Sequence, residues 1–185
     1  MMNELKCVTA SAVLLCAVHA AGQAPAEFTQ VDADASQIDL ANVLVAINCG
    51  TGTYDVDGVR FWAWNATELQ ASCSFSASYL TGPEWNAAWP NPFADPALAP
   101  LVDVYKAISY SDQPLWVEFR DLNPEGLYTI QILFTANAQY NWDHGGSVMV
   151  TSAADRWVAR NFHLNTFAMG IPYVVRAENI QPRWD

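Results

Sequence analysis

Leu127-Tyr128-Thr129-Ile130-Gln131-Ile132-Leu133-Phe134 is the stretch from which the fold class is read. Tyr128, Ile130, Ile132 and Phe134 recur at every second position, and the run is rich in the β-branched and aromatic residues that suit a pleated surface. It reads as a strand. Upstream, Leu122-Asn123-Pro124-Glu125-Gly126 places Pro and Gly where a turn uses them, and Trp116 to Phe119 is a second strand candidate. The two are expected to form a hairpin. Further out, Val43 to Ile47 is a short apolar run closed by Asn48-Cys49-Gly50, and Val59 to Trp64 follows the turn signal Asp57-Gly58. Val148-Met149-Val150 and Trp157-Val158-Ala159 flank a polar turn, and Tyr173 to Ile180 makes a last strand. Many short strands with turn punctuation predict an all-β sandwich. Between Thr81 and Pro100 there is no usable period, and prolines with Trp85 and Trp89 indicate a long surface loop.

The N-terminus has the order of a secretory leader. Lys6 is followed by an apolar run from Val8 to Val18 that is too short to cross a bilayer, then by Val18-His19-Ala20-Ala21, which predicts cleavage after Ala20. A buried N-terminal helix is the structural alternative. Residues 21–42 are expected to be a linker and 43–185 one domain, of a size that buries a real core. Localisation is then secreted or extracellular, with the ER lumen as the alternative, and no transmembrane segment is expected. The net charge of −11 stays with the folded part, since a leader ending at Ala20 takes away Glu4 and Lys6 together. Such a surface repels nucleic acid and anionic membranes, so neutral or cationic partners are favoured. Of four cysteines, Cys7 and Cys16 fall in the leader. Cys49 and Cys73 remain, either as one disulfide in an oxidising compartment or as two buried thiols. Asn65-Ala66-Thr67 is an N-glycosylation sequon.

Ile47-Asn48-Cys49-Gly50 with Asp57-Gly58-Val59 and Phe61, the tyrosines Tyr105 and Tyr110 five residues apart, and the strand from Leu127 to Phe134 behind Gly126 resemble, in that order, three landmarks of the malectin and malectin-like domains. The resemblance covers about Leu44 to Val150. It implies a jelly-roll-like β-sandwich of the malectin or galactose-binding-like type, with loops at one end that bind a glucose-containing or related glycan. The family's sugar-contacting tyrosines fall on Tyr79 and Tyr110, and its adjacent aromatic pair falls on Gln139 and Tyr140, with Trp142 beside them. Its acidic contact falls at Gly170. Between Asn161 and Tyr173 this chain is shorter than the family pattern.

The same residues carry a chemistry of their own. Aromatic faces stack on the C–H faces of pyranose rings while amides, carboxylates and phenols bond the hydroxyls, and Asn137-Ala138-Gln139-Tyr140-Asn141-Trp142-Asp143-His144 offers that mixture within one short stretch. The structural alternative is a polar loop with Trp142 tucked into the core; for Tyr79 and Tyr110 it is strand or core packing. No catalytic signature is present. The glutamates share no glycosidase context, no Gly-x-Ser-x-Gly elbow occurs, and Cys49 has only His144 and His163 to draw on outside the leader. An enzyme is not expected. Asp143-His144 is two adjacent ligands that cannot easily face one metal ion. No cofactor is expected, and no loop has the spacing that would name a structural calcium ion. The partner is an oligosaccharide or glycoprotein glycan, or alternatively an extracellular protein bound by exposed aromatics on a sandwich whose sugar site is degenerate.

Overall fold

The computed structural model describes residues 12–18, 28–75, 90–105, 117–135, 145–151, 156–163 and 171–182. Within them regular structure is almost all strand: β1 (Ala12–Val18), β2 (Phe28–Gln30), β3 (Val43–Asn48), β4 (Tyr54–Val56), β5 (Val59–Ala63), β6 (Cys73–Phe75), β7 (Val117–Phe119), β8 (Leu127–Thr135), β9 (Gly145–Thr151), β10 (Arg156–His163) and β11 (Pro172–Ile180). A 3-10 turn at Thr67–Leu69 and one short helix, α1 (Leu101–Tyr105), complete the elements. No described helix is long and apolar enough to cross a membrane.

Seven strands form one sheet in the order β2-β11-β8-β1-β3-β5-β4, while β9–β10 and β6–β7 form two separate antiparallel pairs. In the large sheet β3 and β5 run parallel, with Ala46 opposite Phe61. The other pairings are antiparallel. The all-β expectation holds, and the strands read around Val43, Val59, Trp116, Tyr128, Val148, Trp157 and Tyr173 are β3, β5, β7, β8, β9, β10 and β11. Asp57 (φ 44) and Gly58 (φ 78) supply the two left-handed residues that a two-residue hairpin turn requires. Val56 therefore lies opposite Val59.

The expected hairpin of β7 with β8 does not form. Cys73, Ser74 and Phe75 of β6 lie opposite Phe119, Glu118 and Val117 of β7, and both edges of β8 are taken by β1 and β11. Asp121 adopts a left-handed φ of 55°, and Gly126 N–H donates to the Asn123 carbonyl at 2.9 Å. The Tyr128 hydroxyl closes this turn, accepting from Asn123 N–H at 3.0 Å and donating to the Asn123 carbonyl at 3.3 Å. The segment is a turn, as its residues predict, but it carries the chain from one sheet to another.

The stretch 28–42 is part of the fold rather than a linker. Tyr173, Val174 and Val175 pair with Gln30, Thr29 and Phe28, and Val31, Ala35 and Ile38 are buried. Ala12–Val18, expected to be the apolar core of a leader, is the strand between β3 and β8. A chain lacking residues 1–20 lacks that strand.

Both faces of the large sheet are covered. Tyr128, Ile130, Ile132 and Phe134 alternate onto one face with Ile47, Val175, Ala177 and Ile180, under Cys73 and Val117 of the β6–β7 pair. Leu133, Val174, Ala46 and Phe61 meet Val31, Ile38, Phe93, Leu98, Leu101 and Val104 on the other, so a layer of loop and α1 closes that side. Phe134 and Tyr173, directly opposite, stack with centroids 5.7 Å apart. Such pairs contribute on the order of 1 kcal/mol beyond their burial.

Candidate functional site

Pro90, Pro92, Phe93, Val102, Tyr105, Thr135 and Pro172 line a shallow cleft, open to solvent on one side, with a cavity volume of only about 10 Å³. Pro90 opens the covering loop, Tyr105 ends α1, Thr135 ends β8 and Pro172 begins β11. Thr135 and Pro172 lie directly opposite one another in the sheet, which fixes the floor of the cleft. Tyr105 is buried and donates its hydroxyl to the Tyr173 carbonyl at 3.1 Å. That bond ties the end of α1 to β11. Burial pushes the Tyr105 phenol well above its ordinary value, so it stays protonated and keeps donating. Thr135 Oγ1 donates to the Ile171 carbonyl at 3.0 Å. Phe93 and Tyr105 meet at 6.3 Å between ring centroids, which holds the proline-rich wall against the helix.

The expected sugar-contacting residues Tyr79, Tyr110, Asn137, Gln139, Tyr140 and Trp142 all lie outside the described residues, as do Trp85, Trp89 and Gly170. In the sequence Asn137 is two residues beyond Thr135, Tyr110 five beyond Tyr105 and Tyr79 four beyond Phe75 of β6. Neither the cleft nor α1 was anticipated from sequence. Among the described lining the two polar side-chain groups, Tyr105 and Thr135, each donate to the protein's own backbone.

Cys49 and Cys73 are both buried in the core on the β6–β7 side of the sheet, and both are thiols rather than a disulfide. Of the two alternatives that the sequence leaves open, the structure has the buried thiols. Burial, opposed more weakly by Arg120, pushes the Cys73 thiol up to about 12, which makes it a packed apolar group rather than a nucleophile. Asn65 of the sequon is exposed at the end of β5, where a glycan would meet solvent.

Acidic side chains are frequent in the covering layer, with Asp32, Asp34, Asp39, Asp95 and Asp103, and at the β4 edge, where Asp55 is paired with Arg60 at 2.7 Å. Asp32 is exposed and ordered by its neighbours: a hydrogen bond with Asp34, then those from Gln37 and Ser36, hold its carboxyl well below the usual range. Among the described residues no group of three or more His, Cys, Asp or Glu side chains is arranged to hold a metal ion. Comparison with protein-family models, with curated proteins and with solved structures returns no match.

Proposed function

We propose that this chain is a secreted, non-catalytic carbohydrate-binding module of the malectin type, a jelly-roll-like sandwich that takes a neutral glycan at the cleft end of its large sheet. One observation carries the reading. Tyr105 and Thr135, which precede Tyr110 and the Asn137 to Trp142 stretch in the sequence by five and two residues, both line the cleft. Aromatic residues delivered from several loops to one end of a rigid sheet are what a shallow saccharide site needs, with flat faces for the ring and amides and phenols for its hydroxyls. The leader-like order of Lys6, the Val8 to Val18 run and Ala20 supports export, and the exposed Asn65 suits a glycoprotein.

The test is a glycan array probed with the folded protein, repeated with Tyr110→Ala and Tyr140→Ala. Binding to a defined glycan, lost in both variants while each keeps its thermal unfolding transition, supports the proposal; a folded protein that binds no glycan rejects it. A protein-binding module is the second reading, favoured by the apolar lining of the described cleft, where Tyr105 and Thr135 already donate to the backbone.

A further inference from the structure

We propose that Asn65 carries an N-linked glycan whose first N-acetylglucosamine packs back onto the partly exposed indoles of Trp62 and Trp64, making the modification a structural part of the turn that leaves β5. The inference rests on the reading that the chain is exported, through a compartment that transfers glycans to asparagine. Asn65-Ala66-Thr67 is the only sequon in the chain, and the fold presents it at the surface, where an acceptor must lie. Ala66 N–H donates to the Ala63 carbonyl at 2.8 Å, so Trp64 and Asn65 are the central residues of a turn. Asn65 and Thr67 are exposed, and Ala66 between them is extended, with φ −65° and ψ 136°. In the transfer the Asn65 amide nitrogen bonds to C1 of a lipid-diphosphate-linked oligosaccharide and loses one proton. The lipid diphosphate leaves with the electron pair of its bond to C1.

The surface beside the sequon suits a sugar ring. Trp62, Trp64 and Ala66 pack against the core cluster that contains Ile47, Cys49 and Leu69, which sets the turn on that side of the sheet, and neither indole is fully covered. The Arg60 guanidinium lies 5.3 Å from the centre of the Trp62 ring. Its Nε and one terminal nitrogen donate to the two Asp55 carboxylate oxygens at 2.7 and 2.8 Å, which fixes the guanidinium plane. Asp55, and more weakly Glu68, hold that guanidinium above its ordinary value, so Glu68, three residues past Asn65, is within electrostatic reach of Arg60. Two indoles, a fixed guanidinium and a carboxylate thus share the side on which the turn sits. The indoles offer an apolar face to the C–H face of a pyranose ring, and the charged groups meet its hydroxyls. The Trp64 indole N–H is buried without an acceptor in the chain, which is rare for a buried donor. An N-acetylglucosamine on the adjacent residue supplies an acceptor in its acetamido carbonyl.

The test uses the whole chain expressed in a secreting eukaryotic host. Protein from the medium is expected to carry an N-glycan by intact mass, absent from Asn65→Gln and from Thr67→Ala. Both variants are expected to melt about 2–4 °C below the glycosylated protein, while trimming with an endoglycosidase that leaves the first sugar on Asn65 is expected to leave the melting temperature unchanged. In a Trp62→Leu background, loss of the sequon is expected to have no further effect, because the sugar and the indole act as one unit. Should Trp62→Leu fail to fold, the N-acetyl methyl resonance of the trimmed wild-type protein reads the same contact, shifted upfield by the indole ring current. Exported, folded protein with Asn65 unmodified overturns the proposal, as does either an unshifted N-acetyl methyl resonance or an Asn65→Gln variant that melts with the glycosylated protein. A chain that never reaches the medium rejects the export reading and this one together, whereas an exported glycoprotein that binds nothing on the glycan array leaves this proposal standing.

Discussion

Gln131 shows how a single polar residue can be decisive inside an apolar strand. It is fully buried, and its side-chain amide accepts from Asp39 N–H at 2.8 Å and donates to the Asp39 carbonyl at 2.7 Å, so it pairs the covering loop to the sheet as a strand neighbour would. Gln131→Leu keeps the volume but leaves that N–H and carbonyl without partners, and is expected to cost about 2–3 kcal/mol, read as a lowered urea midpoint with unchanged slope. Cys73 gives a second prediction at this scale. Its folded value of about 12 against an ordinary 9.0 means that the thiolate is disfavoured only in the native state. The stability this contributes is complete below pH 9 and is lost as pH rises from 9 toward 12. At neutral pH, iodoacetamide is expected to label Cys73 only as fast as the protein unfolds, and Cys73→Ser is expected to flatten the alkaline fall in stability. Rapid labelling of Cys73 in folded protein would refute the buried-thiol assignment. The sequence could not decide between thiols and a disulfide because that depends on the approach of two Cα atoms from distant strands, which spacing along the chain does not encode.

At the scale of elements, the strands were legible wherever local pattern sets the outcome, and their pairing was not. Alternation along Tyr128 to Phe134 and the Asp57-Gly58 turn specify β8 and the β4–β5 hairpin from neighbours in sequence. The link from Phe119 to Leu127 was read correctly as a turn, yet it leads between sheets because the competition for the edges of β8 is won by strands far away in the chain. Residues 28–42 were missed for a related reason: Val31, Ala35 and Ile38 follow neither strand nor long-helix periodicity, and their burial comes from docking onto the sheet. The turn itself is testable. Gly58 at φ 78 tolerates Asn far better than a β-branched residue, so Gly58→Val is expected to cost about 1–2 kcal/mol and Gly58→Asn much less. Equal melting temperatures for the two variants would contradict a left-handed residue at this position.

For the whole molecule the governing quantity is charge. The chain carries −11 at pH 7 with a pI near 4.4, and Asp32, Asp34, Asp39, Asp95 and Asp103 lie in the layer that covers one face of the sheet, so an approaching ligand meets a net negative field. Two unit charges about 8 Å apart in water interact by only about 0.5 kcal/mol, but several acting together on one anionic group reach a discrimination of tenfold or more, and salt screens them beyond about 10 Å at 0.1 M. A neutral glycan feels little of this field. The cleft was not legible in the sequence, because it depends on α1, β8 and β11 meeting at one end of the sheet; the sign of the field was legible from composition alone. Binding of a neutral glycan is therefore expected to change less than about twofold between 50 and 500 mM NaCl. The same glycan bearing a uronic or sialic acid is expected to bind more weakly at 50 mM and to recover toward the neutral affinity at 500 mM. Isothermal titration of such matched pairs decides the matter: an acidic glycan that binds more tightly than its neutral partner at low salt would place the site away from the aspartate layer.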